Sequence, residues 1–130
     1  MNNPYEGFQE YKQEQQELLD FIKQHKIEGV VFLSGDRHHT ELLKLELEGL
    51  YPLYEFTNSP LTSGFNANLR DELKNPLRVE GTLVNTERNF GFAKVSGERN
   101  NRLLTFQTYS VKGELLWQYE ISEKELKFKN

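Results

Sequence analysis

The order of apolar and polar positions divides the chain into a helix, a short buried strand, a hairpin and a closing meander. Between Phe8 and Lys26, the residues Phe8, Tyr11, Leu18, Leu19 and Ile22 recur at spacings of three, four and seven, with Gln, Glu and Lys on the other face. That stripe predicts an amphipathic helix, half exposed in its first part where Gln15 interrupts it. Gly29-Val30-Val31-Phe32-Leu33 follows within a few residues. A short, continuous, β-branched run of this kind predicts a strand buried on both faces. It leads into the polar stretch Ser34-Gly35-Asp36-Arg37-His38-His39-Thr40-Glu41. Polar residues at the carboxyl end of a buried strand stand where α/β sheets keep their sites.

Leu43, Leu45 and Leu47 then alternate with Lys44 and Glu46, Glu48-Gly49 marks a turn, and Tyr51 to Thr57 returns. This predicts a hairpin directly after the polar stretch. Asn58 to Asn75 reads as a long loop with one short helix around Leu69-Arg70-Asp71-Glu72-Leu73. The last third reads as a β meander. Phe90 and Phe92 share a face of their strand, as do Leu104 and Phe106 on theirs, and Leu115, Trp117, Tyr119 and Ile121 on theirs. Gly97 to Arg102 is a charged loop, Val111-Lys112-Gly113-Glu114 a tight turn, and Lys124 to Asn130 a polar tail. The aromatic pattern of these strands reads as core, since no basic residues line a face with it.

Length bounds this picture to one domain, residues 1–130, able to bury roughly 65–70% of its unfolded surface. Hydrophobic residues are only 36%, but nine Phe, six Tyr and one Trp supply core material. With a net charge of -4 there is no basic field for a phosphate backbone, so no nucleic-acid partner is expected. The absence of cysteine excludes disulfide scaffolds, zinc ribbons, Fe–S clusters and Cys nucleophiles, and leaves the compartment open. No apolar run approaches the roughly 20 residues of a membrane span. Met1 to Gly7 is polar and does not read as a signal peptide.

Any metal must therefore be held by His and carboxylates. Asp36 and His38 are two residues apart, and in an extended segment such residues point the same way. A carboxylate and an imidazole together suit Zn, Fe, Mn or Co. His39 would point elsewhere, and Glu41 is placed to orient an imidazole from behind. His25 reads as a solvated helix-end residue. Asn58-Ser59-Pro60-Leu61-Thr62-Ser63-Gly64 reads as a turn-rich connection or as a substrate loop, and Arg88 as a solvated strand-end residue.

Val30-Val31-Phe32-Leu33-Ser34-Gly35-Asp36-Arg37-His38 resembles the last metal-ligand motif of the PhoD-like (alkaline phosphatase D) metallophosphatases, within the calcineurin-like superfamily. The helix ending Leu18-Leu19-Asp20-Phe21, the segment Tyr51-Pro52-Leu53-Tyr54-Glu55-Phe56-Thr57-Asn58-Ser59-Pro60-Leu61-Thr62, Asn89-Phe90-Gly91, and Gly113-Glu114-Leu115-Leu116-Trp117 resemble family segments in the same order. The resemblance implies an α/β fold: the C-terminal part of a two-layer β-sandwich flanked by helices, with an N-terminal helix and then mostly antiparallel strands. It implies hydrolysis of phosphate esters at a site of two divalent or trivalent ions (Fe, Mn, Zn or Ca), roughly 3.5–4 Å apart, that polarise the phosphoryl group and activate water.

Carried over by position, Asp36 binds one ion and His38 the other, as the catalytic pair, while Arg37, His39 and Glu41 stand behind them. The family's earlier motifs, a second Asp-x-His, a Gly-Asp followed by an Asp, and a Gly-Asn-His-Asp, do not occur here. The sequence therefore reads as the C-terminal portion of a phosphatase, inactive alone, with the N-terminal half of the domain as partner. An unpartnered sheet edge would also favour self-association. A noncatalytic remnant or binding module that keeps this fold segment is the alternative. Members of the resembled family are often exported, which leaves the compartment open.

Overall fold

The computed structural model describes residues 8–66 and 74–129. Among the described residues there are one α-helix and two three-stranded sheets, an α/β arrangement in which most strand pairs are antiparallel. The short helix expected around Leu69 to Leu73 lies outside the described residues.

The helix, α1 (Lys12–Gln24), is shorter than the stripe predicts, because Phe8–Glu10 forms a separate 3-10 turn and Tyr11 provides no capping side chain. It ends at His25, which is exposed as expected and packs its ring against Phe21. Lys26 then turns into the left-handed region. Only Ile22 of the stripe is buried; Phe8, Tyr11 and Leu18 stay exposed. The stripe thus presents more apolar surface than the described residues cover.

The first sheet has the order β1-β3-β2, formed by β1 (Val31–Ser34), β2 (Glu41–Leu45) and β3 (Leu53–Thr57). The predicted hairpin is present: β2 and β3 pair antiparallel, with Leu43 opposite Glu55. β1 pairs parallel to the far side of β3, with Val31 opposite Tyr54 and Ser34 opposite Thr57. It is therefore an edge strand, not one buried on both faces: Val31 and Phe32 are half-buried and Leu33 and Ser34 exposed. The outer side of β2 is covered by residues 77–84. Lys44 N–H donates to Leu77 O (2.8 Å), Val79 N–H to Leu42 O (2.9 Å), and Thr40 and Val84 exchange two bonds of 2.9 Å.

The second sheet is the expected meander, formed by β4 (Asn89–Ser96), β5 (Leu103–Ser110) and β6 (Leu115–Ser122), with both connections where the sequence places them. The two sheets pack face to face through aromatic rings. Phe56 meets Phe106 at 4.8 Å and Trp117 at 5.4 Å, and Tyr54 meets Tyr119 at 6.0 Å between centroids. Tilted and edge-on pairs at such separations add to the burial of their area. Gly91 passes so close that a Cβ there would stand 2.6 Å from Phe56 Cζ.

Three expectations are corrected. The register shifts between Thr108 and Tyr109, so Leu115 lies opposite Tyr109, 51% exposed, apart from Trp117, Tyr119 and Ile121. Phe90 and Phe92 face outward with Tyr109, Phe92 being 55% exposed, so this part of the aromatic pattern is not core. The tail is not merely polar: Ser122 and Glu125 form a capping box for the 3-10 turn Glu123–Leu126, which buries Leu126. Phe128 then sets its ring edge-on to Tyr51 at 5.3 Å. The spacing Leu126–Phe128 was too short a signal to register as apolar periodicity.

Candidate functional site

Residues 35–40 join the end of β1 to the start of β2 by crossing over the end of β3, since β3 lies between them in the sheet. The loop must span two strand spacings, roughly 10 Å, while reversing direction. It does so with two non-glycine residues in the left-handed region, Asp36 (φ 64°) and His38 (φ 56°). Asp and His enter this region more readily than most residues, yet it is held only where surroundings enforce it. The segment is accordingly not extended, and the alternation rule for residues i and i+2 does not govern it. Asp36 and His38 are both exposed, on the loop at the carboxyl ends of the parallel pair β1 and β3.

His38 is held from the 60s loop. Its Nδ1 donates to Gly64 O, and its own carbonyl accepts from Asn66 N–H at 2.8 Å. A carbonyl can only accept, so Nδ1 carries the proton, and in the neutral ring Nε2 carries the lone pair. This is how metal-binding imidazoles are commonly oriented. Arg88 Nε donates to Ser63 O at 2.9 Å and so holds the same loop.

Behind the loop lies a cluster of titratable side chains, two of them fully buried. His39 is fully buried; its Nδ1 donates to Arg37 O at 2.9 Å, and its Nε2 lies 3.2 Å from Glu41 Oε1. Glu41, also fully buried, accepts from Arg78 Nε at 2.7 Å, with Arg37 Nη1 3.9 Å away. Burial alone pushes the Glu41 carboxyl up, but the contacts from His39 and Arg78 outweigh it and hold the group below its ordinary value. The imidazole beside Glu41 is that of the buried His39, not that of the exposed His38.

A second, uncharged network lies under the same loop. Thr40 Oγ1 donates to Asn89 Oδ1 at 2.6 Å and accepts from Ser59 N–H at 3.0 Å and Asn58 Nδ2 at 3.1 Å. Asn58 N–H donates to Ser34 O at 3.0 Å, and Ser34 and Thr57 share a 2.8 Å hydroxyl bond. The turn-rich segment thus ties β1, β3 and β4 together beneath Asp36 and His38. Sequence reading missed Arg78, Thr40 and Asn89. Arg78 lies in a stretch with no regular period, and only its bridge to Leu43 puts it beside Glu41.

Among the described residues no group of three or more His, Asp or Glu is gathered as a metal cage. Asp36 and His38 carry donor types that metals accept, a carboxylate and an imidazole.

The polar loop thus carries a carboxylate and an imidazole at the carboxyl ends of the parallel pair, the end at which open α/β sheets bind their ligands. The sequence matches the family model of PhoD-like phosphatases over residues 2–114. The chain belongs to the PhoD-like phosphatase family. No curated protein and no solved structure matches it.

Proposed function

We propose that this chain supplies the last metal-ligand motif of a metal-dependent phosphatase or phosphodiesterase, forming the C-terminal part of that catalytic domain. Asp36 and His38 are the ligands, one for each of two ions, and the remaining donors come from elsewhere in the domain. The observation that carries the reading is the Nδ1–Gly64 O bond of His38, which leaves Nε2 as the free ring donor on an exposed, braced loop inside the family match. Bound ions would supply Lewis-acid polarisation of a phosphate ester and an activated water. The chain's own part is to hold the two donors and to keep the proton on Nδ1.

The partners of this reading are a phosphate ester, the rest of the phosphatase domain, and a second copy along the open sheet edge. Two donors fall short of the roughly four that even a tetrahedral ion takes. Metal binding by the 130-residue chain is therefore weak, and turnover negligible. Among the described residues no group of three or more metal donors is gathered, which favours a second reading, a noncatalytic module that keeps the fold segment.

Titration with Mn2+ or Zn2+ under NMR observation separates the two. The first reading expects the His38 and Asp36 signals to respond first, with the response abolished by His38→Ala. Ions that bind elsewhere and leave His38 untouched would overturn it in favour of the module. Metal-dependent hydrolysis of p-nitrophenyl phosphate by this chain, lost on His38→Ala, would overturn the half-site description, because the site would then be complete.

A further inference from the structure

We infer that Arg78 and Glu41 are positioning residues for His38, acting through His39. The inference rests on the ligand reading above for its purpose, but on contacts alone for its substance. Arg78 Nε holds Glu41 Oε2 at 2.7 Å, Glu41 Oε1 lies 3.2 Å from His39 Nε2, and His39 Nδ1 donates to Arg37 O at 2.9 Å.

That carbonyl belongs to the peptide plane between Arg37 and His38. The tilt of the plane determines ψ of Arg37 and φ of His38, and His38 stands in the left-handed region at φ 56°. An imidazole clamped to the carbonyl thus fixes the direction in which the His38 side chain leaves the backbone. The other side of His38 is fixed independently by Gly64 O and Asn66 N–H. Each clamp covers what the other leaves free: one sets the backbone plane, the other the ring.

The arrangement also explains why a carboxylate is fully buried at the first position of β2. Glu41 and His39 are both without exposed surface, and Arg78 arrives from the stretch 77–84 that lines the outer side of β2. Buried ion pairs give little net stability against an apolar core, and their best-attested role is to enforce one arrangement. Here the arrangement enforced is that of the loop bearing both donors. The first β2 residue, the loop and the 77–84 stretch become one unit, so a change at Arg78 is transmitted to His38 without touching it.

The test uses Arg78→Gln and Arg78→Lys in the full chain, with Lys127→Gln as a control that breaks the exposed 2.9 Å pair to Glu123. Imidazole 15N and 13C shifts report the tautomer and setting of His38, and Zn2+ titration reports its donor strength. The expected result is a folded Arg78→Gln chain whose His38 backbone and ring shifts move away from those of wild type and whose Zn2+ affinity falls about 10-fold or more. Arg78→Lys gives an intermediate loss, and the control gives none. A folded Arg78→Gln with an unchanged His38 spectrum overturns the proposal. Where that variant does not fold, Arg78→Lys decides by the same criterion. The two readings fail separately. A wild-type chain that binds no ion at His38 while Arg78→Lys still shifts its ring retains the brace and removes the metal. Zn2+ at His38 with no response to either Arg78 variant removes the brace and retains the metal.

Discussion

Replacing Asn89 by Ala tests the uncharged network that supports the loop. Asn89 is fully buried and its amide makes three contacts: Thr40 Oγ1 at 2.6 Å, Asn58 Nδ2 at 3.2 Å and Glu87 O at 3.1 Å. Three lost bonds at roughly 1 kcal/mol net each set the scale, and orphaned buried groups would raise it. The structure limits the orphans. The Thr40 hydroxyl can turn to Ser59 O at 3.1 Å, and Asn58 Nδ2 keeps Thr40 Oγ1 at 3.1 Å. Glu87 is exposed, so its carbonyl has access to water. The expected loss is therefore about 2–3 kcal/mol, without a further desolvation penalty. With an unfolding entropy of roughly 2.1 cal/mol/K per residue, that lowers Tm by about 7–11 °C. Thr40→Val removes the shared hydroxyl from the other side, so the two changes should couple by about 1 kcal/mol or more. Urea unfolding of wild type, both single variants and the double variant measures all four corners. An Asn89→Ala loss below about 0.5 kcal/mol, or losses that simply add, would refute the reasoning that these groups form one network.

Three other outcomes follow from the same structure. Gly91→Ala would place its Cβ 2.6 and 2.7 Å from the Phe56 ring, which is already in contact with Phe106 and Trp117. Urea midpoints should show a loss of about 1–3 kcal/mol, the usual range for overpacking. Because the folded-state pKa of Glu41 is depressed, its contribution to stability is full above the ordinary value of 4.5 and is lost as pH falls through the folded value. Wild type should lose stability in that acid window and Glu41→Gln should show a flatter profile, read from Tm against pH; parallel profiles would contradict the assignment. Val95, 65% exposed, lines with Val31, Leu104 and Ile121 a cleft of about 500 Å³, and Leu33 on the edge strand β1 is 67% exposed. Sedimentation should show concentration-dependent association that Val95→Lys reduces, and a strict monomer at high concentration would count against it.

The parts of the fold legible in the sequence are those whose signals are local. The hairpin of β2 and β3 follows from alternation on either side of Glu48-Gly49, and the loops at Gly97 to Arg102 and Val111 to Glu114 from turn residues between alternating runs. Periodicity speaks about faces and not about neighbours. Val30 to Leu33 is apolar enough for a central strand, but nothing local states that among the described residues only β3 pairs with it. The stretch 77–84 carries no period at all, and it becomes visible only through its bonds to β2. Leu115 shows the limit in one residue: a single register shift moves it out of a row that strict alternation would have kept intact.

The loop itself shows why a candidate donor pair can be named from sequence while its support cannot. Asp36 and His38 are recognisable because donor chemistry is a property of residue type, and their spacing is a property of the chain. The spacing matches a family motif but does not describe the geometry, since both residues are left-handed and not extended. What makes that backbone persist comes from afar: Gly64 and Asn66 on one side, Glu41 and Arg78 on the other, with Thr40 and Asn89 beneath. Arg78 is 37 residues from Glu41, and Asn89 is 49 from Thr40. No local pattern encodes such pairings, because each partner alone is an ordinary polar residue. The charged partners become informative only once burial shows that leaving either unpaired would be costly. The same argument orders the experiments. A change at Asp36 or His38 tests which atoms hold an ion, whereas a change at Arg78 tests whether the fold was built to present them.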